Sequence, residues 1–105
     1  MVDNTNQVKT IYEELEFPDA PAMLIKAQLV VKIAESLRQR GWSQQHAAKM
    51  LGLTQPKLSK MLRGQFRGIS EIKMMDCLTK LGREVKILIG PETESSSGRV
   101  EVVAA

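Results

Sequence analysis

The sequence has little of the chemistry that exported, membrane-spanning or metal-binding proteins need. Its 105 residues contain one cysteine and one histidine, which excludes an internal disulfide framework and a cysteine-rich metal site. No apolar run approaches the roughly 20 residues that a membrane-spanning helix requires. The first ten residues, MVDNTNQVKT, lack the basic start and apolar core of an export signal. We therefore expect a cytoplasmic protein with no membrane partner.

The motifs of enzymes are also missing. His46 has no Cys, Asp or Glu close in sequence that could orient it as a catalytic base, so a polar surface residue or a phosphate contact is the favoured interpretation. Gly64 and Gly68 follow a predicted helix and lack the Lys-Ser/Thr pair of a phosphate-binding loop. The sequence predicts neither an enzymatic activity nor a cofactor or metal.

Acidic residues are absent from the middle third of the chain. The net charge is +3, yet residues 36–70 contain no Asp or Glu. The basic residues of that stretch are Arg38, Arg40, Lys49, Lys57, Lys60, Arg63 and Arg67. Positive charge concentrated in this way is typical of a module that binds nucleic acid phosphates.

The same stretch contains the pattern of two short helices. Ser43 and Thr54 each stand before a polar-then-apolar helical pattern, as N-caps do, because their side-chain oxygens can accept an orphaned backbone N–H. We predict helices over about residues 44–51 and 55–62.

A tight turn is predicted between these two helices. Gly52 can take the left-handed conformation that ends the first helix, and Leu53 can then turn inward. A small residue on the first helix and an apolar one on the second are needed where they cross, and Ala48 and Leu58 stand at those positions. This is the spacing of a helix-turn-helix.

The stretch SQQHAAKMLGLTQPKLSKMLRG resembles the Cro/repressor-type (XRE) helix-turn-helix, with Gln44 opening the first helix and Gln55 the recognition helix. The flanking LIKAQLVVKIAESLRQRG and LRGQFRGISEIKMMDCLTKLGREVKILI resemble a branch of small XRE regulators that includes HigA-type antitoxins. The resemblance covers roughly residues 10–103 and departs at His46, where the family commonly has Glu or another polar residue. It implies a transcriptional repressor that binds double-stranded DNA; the alternative it implies is an antitoxin that neutralises a RelE/HigB-like toxin and represses its own operon.

The expected fold is mainly α: a lambda-repressor-like helix-turn-helix bundle of about five helices with a short C-terminal β strand pair. The expected divisions are an N-terminal arm at 1–21, a DNA-binding domain at 22–82 and a β extension at 83–105. A first packing helix is predicted from residue 22 to residue 40, and Ser70 is predicted to cap a last helix that runs to Leu81. The residues expected to face the core from these two helices are Leu24, Ala27, Val30, Val31, Ala34 and Leu37, and then Ile72, Met75 and Leu78.

The C-terminal extension contains two alternating segments. Val85, Ile87 and Ile89 recur at every second position, and residues 99–103 show a second alternation, which is strand spacing. The two can pair as a hairpin, but two strands alone are barely stable in water. We expect a homodimer in which the edge at 85–89 pairs with the same edge of a second copy; the competing arrangement is a closed intramolecular hairpin.

The predicted DNA-binding residues lie on the outer face of the second helix and around it. They are Gln44, Gln55, Pro56, Lys57, Ser59, Lys60, Arg63 and Arg67. Gln55 and Lys57 are the candidates for base edges, while Gln44, Arg63 and Arg67 are expected to meet phosphates. For Lys60, as for Lys49, simple solvated surface is the alternative.

Overall fold

The computed structural model describes residues 20–95 and 97–104. These residues form four α-helices: α1 at Ala20–Arg40, α2 at Gln44–Leu51, α3 at Gln55–Leu62 and α4 at Glu71–Lys80. The fold is mainly α, and the helices predicted from periodicity are confirmed to within about two residues at each end. A fifth helix of the expected bundle would fall in the N-terminal arm, before residue 20, and so lies outside the described residues.

Helix α1 supplies one long side of the core. Its buried residues are Ala20, Met23, Lys26, Leu29, Val30, Ile33, Ser36 and Leu37. The predicted inward face is therefore wrong in part, since Val31 is 53% exposed. The helix has apolar residues on several sides. The packing of α4 along α1 determines which of these sides is buried, and no local pattern in the sequence identifies that side.

Helices α2 and α3 form the predicted helix-turn-helix. The Ser43 hydroxyl accepts the His46 N–H at 3.1 Å, and the Thr54 hydroxyl accepts the Lys57 N–H at 3.2 Å. Gly52 ends α2 with φ 68° and ψ 34°, the left-handed conformation that a glycine adopts without steric cost. The caps and the turn are confirmed.

Helix α4 closes the core from the other side. Met74, Cys77 and Leu78 are its buried residues, whereas Ile72, predicted to face inward, is 71% exposed. At 100° per residue Ile72 lies about 200° from Met74, on the far side of the helix. Once Met74 is buried, Ile72 must therefore point to solvent.

The core lies where all four helices meet. Its largest fully buried side chains are Ile33, Leu51, Leu58, Met61, Met74 and Cys77. Ala48 and Leu58, predicted at the crossing of α2 and α3, are 3% and 0% exposed and belong to the same apolar cluster. This packing fixes α3 with one face inward and the opposite face to solvent.

The C-terminal segment differs from its prediction. No strand occurs in residues 83–95 or 97–104, so the expected strand pair is not formed in the described chain. Val85 and Val102 pack instead against the helical core, and the Val102 N–H donates to Gln28 Oε1 at 3.3 Å. The segment is therefore attached to the helices by side-chain packing and by this hydrogen bond. A two-stranded ribbon alone has too little apolar surface to bury and is barely stable in water.

Candidate nucleic-acid interface

The outer face of α3 carries polar and basic side chains. Gln55, Pro56, Lys57 and Lys60 are exposed, and Ser59 is half-buried. Leu58 and Met61, on the opposite face, are buried in the core. The helix is thus anchored by its apolar side and presents the predicted set to solvent.

The first turn of α3 is stabilised by an N-cap and a proline, and not by its exposed side chains. Thr54 satisfies the Lys57 N–H, and Pro56 stands in the first turn, where its missing N–H costs nothing. The side chains of Gln55 and Lys57 are therefore presented at the positive end of the helix dipole, which favours an anionic partner.

Helix α2 begins with a second set of exposed polar residues. Gln44 is its first residue, followed by Gln45 and His46, and all three are exposed. The Ser43 cap holds this turn. Gln44 therefore stands at a helix N-terminus, where a phosphate is electrostatically favoured.

The predicted phosphate contacts at the other end of α3 lie on a constrained loop, residues 63–70. Arg63 is the C-cap of α3, and the Gln65 N–H donates to the Lys60 carbonyl at 2.8 Å. Phe66 and Ile69 are each 5% exposed, and the exposed Arg67 lies between them in sequence. The loop is therefore fixed at two points while Arg67 stays at the surface.

This loop runs back beside the first turn of α3. Thr54 and Lys57 line a cleft of about 350 Å³ together with Gly68 and Ser70. The structure therefore brings the beginning of the recognition helix and the end of the loop to one surface. Arg63, by contrast, stands at the far end of α3.

Acidic side chains near this surface are paired with lysines. Glu71 lies 3.5 Å from Lys26, and Asp76 lies 3.0 Å from Lys80. A hydrogen bond from Lys80, then one from Lys73, holds the pKa of Asp76 below its usual range against the opposing effect of desolvation. Because the charges of these two carboxylates are balanced by lysines, the basic residues of 36–70 dominate the electrostatic potential at this surface.

Trp42, at the start of α2, is partly buried and packs against the core. The sequence did not reveal its two further contacts. The Arg40 guanidinium lies 4.8 Å from the Trp42 ring centre, and the His46 ring meets it edge-on at 4.9 Å. A cation and an imidazole are thereby held together at the beginning of α2.

Two lysines were missed as structural residues. Lys26 Nζ donates to the Arg67 carbonyl at 2.9 Å, and Lys73 Nζ donates to the Leu51 carbonyl at 3.0 Å. The sequence did contain one indication of this role for Lys26. It is a charged residue that lies three positions after Met23 and three before Leu29, within the apolar stripe of α1. Both lysines bind backbone next to the predicted DNA-binding elements.

Other chemistry finds no site in the part of the chain that is described. No group of three or more His, Cys, Asp or Glu there could hold a metal. Burial raises the pKa of the Cys77 thiol, which keeps it protonated and unreactive. No helix in the same residues has the length and hydropathy needed to cross a bilayer.

The geometry defines a helix-turn-helix domain: two capped helices joined by a left-handed glycine, with the second presenting a polar, basic face. A family model described as a helix-turn-helix domain matches residues 11–90. A solved structure assigned by name to the XRE family of transcriptional regulators matches with a TM-score of 0.77 and 32% identity, covering 84% of this chain and 100% of that one. No curated protein is significantly similar.

The chain therefore belongs to the XRE family of helix-turn-helix proteins and is a DNA-binding transcriptional regulator. This membership agrees with the prediction that it is not an enzyme.

Proposed function

We propose that the protein is a sequence-specific repressor that places α3 in the major groove of operator DNA. The observation that carries this proposal is the first turn of α3, where Gln55 and Lys57 are exposed beside a capped N-terminus. The major groove is wide enough for one helix and presents a distinct pattern of donors and acceptors for each base pair. Repression follows from occupying a promoter.

The side chains around α3 divide between reading and positioning. The Gln55 amide can pair with adenine and the Lys57 ammonium can reach guanine acceptors, whereas Ser59 and Lys60 contact bases or the adjoining backbone. Gln44, Arg63 and Arg67 bind phosphates on either side of the groove and fix the register without reading sequence.

A two-fold operator requires two copies of the chain, and the proposed interface is the exposed edge near Ile87. Ile87, Leu88 and Ile89 are 77%, 91% and 89% exposed, and the backbone around them has no strand partner among the described residues. Exposed apolar chain of this kind is an association hazard unless it is covered.

The sequence of this edge favours a second copy as its cover. Antiparallel pairing about Ile87 sets the two Ile87 side chains opposite each other, and it sets Val85, which is half-buried against its own helical core, opposite Ile89 of the partner subunit. It also sets Lys86 opposite Leu88, whereas an axis centred on Lys86 would oppose two lysines. The dimer would hold two α3 helices for half-sites about one DNA turn apart.

Methylation interference tests the major-groove proposal. Methylation at guanine N7 blocks the major groove, and methylation at adenine N3 blocks the minor groove. We expect guanine N7 methylation within the half-sites to prevent binding. Interference confined to adenine N3 would mean that α3 does not read the major groove.

The antitoxin alternative, with a RelE/HigB-like toxin as protein partner, is supported by the sequence resemblance alone. None of the contacts or surfaces in the described residues favours it over the repressor.

A further inference from the structure

Lys26 is buried in α1, an unusual position for a lysine. Its side chain is 11% exposed. Its Nζ donates a 2.9 Å hydrogen bond to the Arg67 carbonyl and lies 3.5 Å from Glu71 Oε1. One ammonium group therefore joins three parts of the fold: the first helix, the loop at residues 63–70 and the start of α4.

The carbonyl that Lys26 binds lies at the centre of that loop. Phe66 and Ile69 bury their side chains on either side of it, and the Ile69 N–H donates to the Phe66 carbonyl at 3.0 Å. Between these anchors Arg67 and Gly68 are exposed. The Lys26 bond ties the backbone of Arg67 to the first helix.

The second partner of Lys26 explains how a cation is tolerated there. A buried charge is stable when it is paired and hydrogen-bonded, and Glu71 supplies the opposite charge while standing at the start of α4. A carboxylate in the first turn of a helix is itself favoured by the dipole. The pair is thus compensated within the fold and does not require DNA.

We infer that Lys26 is a positioning residue for DNA binding: it holds the loop in the conformation in which Arg67 meets a phosphate. The inference rests on the proposed function, because it takes Arg67 as a phosphate contact. A loop already fixed in its bound conformation loses less conformational entropy on binding than a mobile one. Removing the Lys26 bond should therefore weaken the Arg67 contact without touching DNA.

A double-mutant cycle on the duplex that the parent protein selects from a random pool tests this. Lys26→Met should lower DNA affinity by about tenfold at low salt and reduce the log–log salt slope by about 1, as loss of one phosphate contact does. Arg67→Ala should have the same effect. The double variant should match Arg67→Ala alone, because each change removes the same contact.

Lys32→Met is the matched control, since Lys32 lies on the same helix, is paired with Glu35 and should leave affinity unchanged. Lys26→Arg, which keeps the charge and the donors, should restore most of the affinity.

Amide hydrogen exchange separates a local effect from a global one: Lys26→Met should speed exchange of the Ile69 N–H more than that of the Leu81 N–H, which donates to the Cys77 carbonyl. Lys26→Gln replaces Lys26→Met if the latter does not fold.

A folded Lys26→Met variant that binds DNA with parental affinity overturns the inference. A double variant whose fold-loss of DNA affinity equals the product of the two single losses also overturns it, because the two residues then act independently. Failure of the proposed function looks different, because Arg67→Ala alone would then leave affinity and salt slope unchanged.

Discussion

The Nζ of Lys73 donates a 3.0 Å hydrogen bond to the carbonyl of Leu51, the last residue of α2. Carbonyls at a helix C-terminus lack intrahelical partners and carry partial negative charge, so an ammonium group is stabilising there. Lys73 belongs to α4 and also lies 3.4 Å from Asp76 Oδ2. The turn that orients the recognition helix is therefore fixed by a cation from α4 as well as by apolar packing.

Asp76 makes this arrangement sensitive to acid. Its pKa is lowered in the folded protein, chiefly by the hydrogen bond from Lys80. A carboxyl with a lower pKa when folded contributes stability fully above its unfolded pKa of about 3.9 and loses that contribution as pH falls through the folded value. Urea unfolding between pH 7 and pH 3 should show a smaller acid-induced loss of unfolding free energy for Asp76→Asn than for the parent. Glu92→Gln, at an exposed carboxylate in the C-terminal segment, is the control and should lose as much unfolding free energy as the parent. Equal profiles of unfolding free energy against pH for Asp76→Asn and the parent would exclude a stabilising ion pair at Asp76.

Gly52 and Gly68 form a matched pair for testing the turn. Gly52 has φ 68°, so Gly52→Ala should lower the unfolding free energy by about 1–2 kcal/mol through left-handed strain. Gly68 lies outside the positive-φ set, and a Cβ there meets nothing within 4 Å. Gly68→Ala should therefore be neutral or slightly stabilising. Denaturant unfolding of the two variants checks this, and similar losses for both would contradict the turn geometry.

The dimer proposal predicts a specific response at Ile87. Ile87→Asp should turn a dimeric parent into a folded monomer, because it places charge on the pairing edge. Ile72→Asp is the control, since Ile72 is 71% exposed on α4, outside the proposed interface. Sedimentation velocity at micromolar concentration distinguishes the species. A monomeric parent would contradict the dimer, whereas a variant that stays dimeric would show that the interface lies elsewhere.

The features foreseen from the sequence are those decided by neighbouring residues. Ser43 and Thr54 bond amides three positions away, and Gly52 acts within its own turn, so local rules were sufficient. The buried face of α1 was mistaken at Val31 because that helix has apolar residues on several sides. Its contacts with α3 and α4 select among them, and those contacts join distant parts of the chain.

The exposure of the candidate site follows from the local sequence, whereas the contacts that support it do not, and its role in DNA binding stays a prediction. All eight predicted DNA-binding residues lie on the surface, and only Ser59 is partly covered, because exposure on α3 follows from the burial of Leu58 and Met61. The roles of Lys26 and Lys73 depend on partners 41 and 22 residues away. The strand predicted near Ile87 from its alternating sequence was wrong for the described residues, because a strand also needs an edge to pair with and these residues do not supply one.

Salt dependence should identify the phosphate contacts. With about 4–6 phosphate contacts per subunit, the log–log slope of affinity against salt should be on the order of −4 or steeper. Arg63→Ala should weaken binding to all sequences alike and reduce the slope by about 1. Arg99→Ala, at an 80%-exposed guanidinium in the C-terminal segment, should leave it unchanged. Affinity that is flat between low and physiological salt would contradict the proposed phosphate contacts.

Selection of bound sites from a random duplex pool shows whether the first turn of α3 reads DNA sequence. The parent should enrich a two-fold consensus. Gln55→Ala should lose preference at one position per half-site, with a cost of about 1–3 kcal/mol on the parental site, because a bidentate amide contact discriminates by that amount. Gln39→Ala, at an exposed residue near the end of α1, should select the parental consensus. If Gln55→Ala also selects the parental consensus at every position, α3 does not read the operator as proposed.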